Sequence, residues 1–140
     1  MPVAWCLASP KIGEREAAAD LLAYAARTGA LRPGLILIGD KGFASRDFEN
    51  LVTTRFAMNL IRPDRRDEAP RHGNIGWIRQ WIESVNDTLK GQLDLEEHGG
   101  RTPAGVFVRV AQRILAMAAA IWQNWAAGAT VLRSLTAYDH

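Results

Sequence analysis

The pattern of apolar and polar positions changes period along the chain. Leu35-Ile36-Leu37-Ile38 is an unbroken aliphatic run closed by Gly39-Asp40-Lys41-Gly42-Phe43. A short run of this kind, half β-branched, predicts a strand over Leu35–Gly39 buried on both faces. Pro2–Ser9 predicts an earlier strand, ended by Pro10, and Phe56–Ile61 a later one, stopped by Arg62-Pro63. Between the first two, Glu14–Thr28 is rich in alanine and leucine. Glu14 and Glu16 fall in its first turn and Gly29 lies past its end, which predicts a helix. Ser45 is placed to cap a further short helix running to Thr53 or Thr54. A strand, a crossover helix and a second strand can pair in parallel, so the expected fold class is α/β.

The second half of the chain has helical period. Ile75–Lys90 places Ile78, Ile82, Val85 and Leu89 on one stripe, with Arg79, Glu83 and Lys90 on the neighbouring one. Leu93–Arg101 is a linker ending in glycines. Thr102 and Pro103 then start a long last helix that Gly128 ends, and Ala129–His140 has no clear period. Within it, Val106–Ala127 is the most apolar stretch. Its uninterrupted part, Ile114 to Trp122, falls short of the roughly 20 residues of a membrane span. Arg109 and Arg113 would also enter lipid, so a packed or oligomerising helix and no membrane contact are expected, with Trp122 and Trp125 as packing anchors. Residues 62–73 carry charges and two prolines and are expected as an exposed loop between a strand–helix core (1–61) and a helical part (74–140).

Composition narrows the picture only slightly. A chain of 140 residues, 48% hydrophobic and 23% charged, suits one soluble domain, and a net charge of +2 permits a nucleic-acid partner without requiring one. Cys6 stands alone, which excludes an internal disulfide framework and fits a reducing cytoplasm. His72, His98 and His140 have no zinc-ligand spacing, and Met1-Pro2-Val3-Ala4 lacks the basic start of a signal peptide. No phosphate-cradling glycine loop of the kind found in nucleotide-binding modules is present. In the 62–73 loop, Arg62, Arg65, Arg66, Arg71 and His72 offer cations to phosphates, but Asp64, Asp67 and Glu68 nearly cancel them.

Candidate chemistry centres on two acids. Asp40 sits where a strand stops, the usual place for sites in open α/β sheets, although a tight turn alone would explain it. Glu83 lies at the border of the buried stripe, although a surface ion pair with Arg79 would explain that. Together, Gly39-Asp40-Lys41-Gly42-Phe43 and Arg79-x3-Glu83-x6-Lys90 resemble bacterial insertion-sequence transposases of the DDE class. Leu95-Glu96-x-His98-Gly99-Gly100-Arg101-Thr102 and the closing Arg133-Ser134-Leu135-x2-Tyr138-Asp139-His140 add to the likeness. The position of the signature tyrosine holds Gly76, with Trp77 beside it.

The resemblance implies a ribonuclease H-like fold and metal-dependent DNA cleavage and strand transfer. Asp40 is then the second and Glu83 the third catalytic, metal-binding acid, and Arg79, Lys90, Lys41, Arg62, Arg65 and Arg66 contact DNA. Two Mg²⁺ ions serve the complete site. The first acid of the family lies on a strand upstream of Met1, and none of Glu14, Glu16 and Asp20 matches it. The chain is therefore expected to be the C-terminal part of such a domain, with weak or absent metal binding and no activity alone. The lost strands are expected to leave sheet edges exposed, re-paired or covered by a partner. The alternative is a non-catalytic protein that forms homo-oligomers, or pairs with full-length transposase and interferes with it, through the long last helix.

Overall fold

Helix α1 (Glu14–Arg27) leads into a short strand, β1 (Ile36–Ile38), as the apolar pattern predicts. A single 3₁₀ turn (Lys41–Phe43) and helix α2 (Arg46–Phe56) then carry the chain back to β2 (Asn59–Ile61). The strands are parallel, in the register Ile36–Asn59, Leu37–Leu60 and Ile38–Ile61. Further bonds prolong the ladder: the Asn59 N–H donates to the Leu35 carbonyl at 3.2 Å and the Gly39 N–H to the Ile61 carbonyl at 3.0 Å. Helices α3 (Gly76–Asp87) and α4 (Pro103–Ala126) follow, with a π-helical turn (Thr88–Gln92) after α3. This computed structural model describes residues 2–69, 71, 73, 75–129 and 135. The architecture is α/β, divided into two units: Val3–Ile75, and Gly76–His140 with Met1–Pro2.

In the first unit, α2 puts Phe48, Val52 and Phe56 at successive i, i+4 positions, and all three are buried. They cluster with Leu22 of α1 and with Met58, and Leu37 and Leu60 pack against the group from the strands. The helix runs past Thr54 because Phe56 continues its apolar stripe. Ala57 then takes a left-handed φ of 51° that ends it, so the second strand starts at Asn59 and not at Phe56. Helix α1 ends as Gly29 predicts. Gly29 has φ 74°, its N–H donates to the Ala26 carbonyl, and the Ala30 N–H donates to that of Ala25.

Two strand expectations are corrected. Pro2–Ser9 forms no strand, because a strand exists only through a neighbour's ladder and β1 pairs with β2 alone among the described residues. Nor is β1 buried on both faces. Leu37 faces the cluster, whereas on the alternate face Ile36 is exposed and Ile38 only half-buried, and Leu35, just before the strand, is exposed as well.

In the second unit, α3 stops being α-helical at Asp87, where the expected helix over Ile75–Lys90 widens into the π turn. Ile78, Val85 and Leu89 are half-buried but Ile82 is exposed. Trp77 and Trp81 are exposed too and meet edge to face, their rings 5.5 Å apart. Helix α4 begins as expected: the Thr102 hydroxyl accepts from the Gly105 N–H at 3.1 Å and Pro103 is its first residue. Gly100 fits against this start only because it lacks a side chain, since a Cβ there would lie 2.7 Å from the Val106 backbone nitrogen.

Along α4, Val110, Met117 and Asn124 form the buried stripe. Trp122 and Trp125 stand roughly 140° and 80° round the helix from Met117, and both are exposed rather than packed. As one continuous 24-residue element, α4 is long and apolar enough to cross a membrane by length and composition alone. It is the one such helix among the described residues.

The fold ties stability to the α2 cluster. Met58→Ala, at a site 2% exposed, is expected to cost about 2–5 kcal/mol in urea unfolding. Ile36→Thr on the exposed strand face should change it by about 0.5 kcal/mol or less.

Candidate functional site

Asp40 lies one residue, Gly39, beyond the end of β1, and its side chain, not only its position, is fixed. The Gly42 N–H donates to Asp40 Oδ1 at 2.6 Å, closing the loop before the 3₁₀ turn. From the first turn of α1, Arg15 Nε and Nη2 both donate to the Gly42 carbonyl, at 3.0 and 2.9 Å. Gly42 itself cannot be replaced without movement, because a Cβ would lie 2.8 Å from Asp40 Oδ1 and 3.7 Å from Glu14 Oε2. The turn therefore presents an exposed carboxylate at the carboxyl end of a parallel strand, with Lys41 exposed next to it. The carboxylate of Glu14 lies against the same turn. Neither Arg15 nor Glu14 carries a sequence signal for this role, since each reads as an ordinary first-turn helix residue.

Beyond β2 the described residues of 62–73 form a largely exposed loop, as expected, but its first residue does not face solvent. Arg62 is 3% exposed. Its Nε and Nη2 donate to Glu49 Oε1 at 3.0 and 2.8 Å, and its Nη1 and Nη2 to Glu68 Oε2 and Oε1 at 2.7 and 2.8 Å. This bidentate geometry uses the guanidinium's full fork and satisfies its buried charge on both sides. Arg71 adds a second cation to the same acids, 3.2 Å from Glu49 and 3.8 Å from Glu68, and also lies 3.5 Å from Asp64. Hydrogen bonds from Arg62 and the Arg65 N–H hold the Glu68 carboxyl down to about 2. Arg71, then Arg62, lowers that of Glu49 against the opposing effect of its burial. Arg62 was expected to meet DNA from a solvated loop; the structure makes it a buried tie between α2 and the loop. Arg65 and Arg66 remain exposed.

In the second unit, Glu83 is exposed on α3. It lines an open groove of about 430 Å³ with Gln80, Ser84, Asp87, Thr88 and Gln92. Asp87, one turn beyond Glu83, is a second acid that the motif reading passed over, although its i+4 spacing makes it visible in the sequence. Lys90 is held by Glu96 at 2.6 Å, an exposed pair that raises its pKa. Arg79 falls within α3, its side chain outside the described residues; the closing Arg133–His140 segment is likewise outside them except for Leu135. Asp40, Lys41, Arg62, Arg65 and Arg66 thus belong to the first unit, and Glu83 and Lys90 to the second. No three His, Cys, Asp or Glu side chains cluster as metal ligands among the described residues. Compared with known protein families, with curated proteins and with solved structures, the chain gives no match.

Two outcomes follow from this geometry. A carboxyl depressed in the folded state contributes stability above its unfolded pKa, here near 4.5, and loses it as pH falls towards 2. Unfolding midpoints should therefore drop over that interval, and Glu68→Gln should flatten the drop while lowering stability at neutral pH. Gly42→Ala should displace the Asp40 carboxylate, read as loss of amide protection at residue 42 in hydrogen exchange, with the α2 cluster retained.

Proposed function

We propose that this chain is the C-terminal part of a DDE-class insertion-sequence transposase catalytic domain, ribonuclease H-like in fold, acting on DNA in the cytoplasm. The observation that carries this reading is the Asp40 turn: an exposed carboxylate of fixed orientation where the first of two parallel strands ends. Its position suits the second acid of the family, and Glu83, exposed on a helix beyond the second strand, suits the third.

In a complete site, two Mg²⁺ ions would supply Lewis-acid activation of the attacking oxygen and stabilisation of the leaving one, with Asp40 and Glu83 among the carboxylates that would hold them. Among the described residues no three potential ligands cluster. What this chain supplies is positioning. Gly42 and Arg15 hold the Asp40 turn, and Lys41 places a cation beside it for the backbone of a DNA substrate.

A second reading draws on α4. Phe107, Val108, Leu115, Trp122 and Trp125 are all exposed, and a helix surface this apolar favours a non-catalytic role. The chain would then pair with itself or with full-length transposase and interfere with it.

The two readings separate in one assay. The 140-residue protein should not nick or join transposon-end DNA in Mg²⁺ or Mn²⁺. Joined to the preceding segment of a complete transposase, including its Asp-bearing strand, it should do both. Asp40→Asn or Glu83→Gln should then reduce cleavage by at least about a hundredfold and leave DNA binding within about twofold. Cleavage that survives both substitutions would remove the transposase reading. A joined protein that never cleaves, while the short chain inhibits an active transposase, would establish the second.

A further inference from the structure

Ala44, Arg46, Glu49, Arg62, Arg65 and Arg71 line a cleft of about 470 Å³ within the Val3–Ile75 unit. Four guanidiniums face two carboxylates there, and the hydrogen bonds decide which cations remain for a ligand. Glu49 and Glu68 both point their oxygens at Arg62, and Arg71 shares Glu49 with it. The acids are thus taken up by the buried Arg62 and the exposed Arg71. Arg65 donates from Nη2 to the Ala44 carbonyl at 3.1 Å, which holds its guanidinium at the cleft while its other N–H groups stay available. No ion pair among the described residues engages Arg46. Both Arg46 and Arg65 are exposed, at the solvent side of the buried Arg62.

We propose that this cleft binds a phosphate group of a DNA backbone, with Arg46 and Arg65 donating to its oxygens and Arg71 at its edge. Planar guanidinium forks match the tetrahedral oxyanion bidentately, which point-charge lysines would not. Arg62 is a positioning residue: it touches no ligand but holds Glu68, whose Oε2 accepts the Arg65 N–H at 2.9 Å and so sets where Arg65 emerges. The cleft begins at Ala44, directly after the 3₁₀ turn that follows Asp40. The choice of DNA over a free phosphate rests on the transposase reading; the oxyanion chemistry does not. Arg66 lies outside the cleft lining.

The test uses the whole chain and its arginine Nε–Hε signals in ¹H–¹⁵N spectra. A short DNA duplex should shift the Arg46 and Arg65 signals. The Arg46→Ala/Arg65→Ala double variant should bind that duplex several-fold more weakly and lower the salt-dependence slope by about two. Its urea midpoint should fall by no more than the loss of the single Arg65–Ala44 bond, because alanine at 65 retains the backbone N–H that Glu68 accepts. Arg62→Lys should move the Arg65 signal in the free protein, which a cation acting only by charge would not. Unchanged duplex affinity and slope in the double variant would overturn the site. Shifts with inorganic phosphate but not with duplex would overturn DNA as the source, and the cleavage reading would still be decided separately by the Asp40 variants.

Discussion

A buried guanidinium sets the layout of the first unit. Arg62 follows immediately on β2, and at 3% exposure its charge would be costly by several kcal/mol without partners. Glu49 reaches it from α2 and Glu68 from the chain beyond, so three separate segments must meet at one point. Such a triad is weak evidence for added stability, because desolvation offsets most of the Coulombic gain. Its effect is on geometry: any arrangement that separates α2 from the 62–71 segment leaves charge buried and unpaired. That constraint gives an arginine-rich stretch a defined shape, and it divides the cations into those held inside and those presented outward.

The Asp40 turn depends on a comparable restriction at smaller scale. A parallel pair needs its crossover to leave from one end of the strand, and here the chain leaves β1 through Gly39, Asp40 and the 3₁₀ turn. The absence of a Cβ at Gly42 lets the backbone fold back on Asp40 Oδ1, and Arg15 fixes the result from α1. Turn formation and carboxylate presentation are therefore one event. The two readings of Asp40, as turn closer and as a site residue, are not exclusive.

The second unit shows a different balance. Helix α4 closes with paired bonds, the Gly128 N–H to the Trp125 carbonyl and the Ala129 N–H to that of Asn124, so its backbone ends are satisfied locally. Arg113 pins the preceding linker through the Asp94 carbonyl at 3.0 Å. Its side-chain surface is another matter. With one narrow stripe buried and large apolar residues exposed around it, the helix carries more hydrophobic surface than a solvated helix needs. That surface is the physical basis of the interaction reading.

The sequence determined where the helices lie and most of the caps that start or stop them. Ser45, Thr102-Pro103, Gly29 and Gly128 act over three or four residues, and such local chemistry needs no tertiary partner. It also determined β1 and the carboxylate at its end, because an aliphatic run followed by glycines has few other conformations. Only the tertiary structure decided that Pro2–Ser9 stays out of the sheet, since a strand's hydrogen bonds belong to its neighbour and not to itself. Tertiary structure alone likewise turned Arg62 from a loop cation into a buried one. Its partner Glu49 lies 13 residues back along the chain, on a helix whose face toward Arg62 is set by how Phe48 and Val52 pack. Charge counted along a sequence cannot show which cations will be neutralised, because ion pairing depends on distances that exist only after the core has closed.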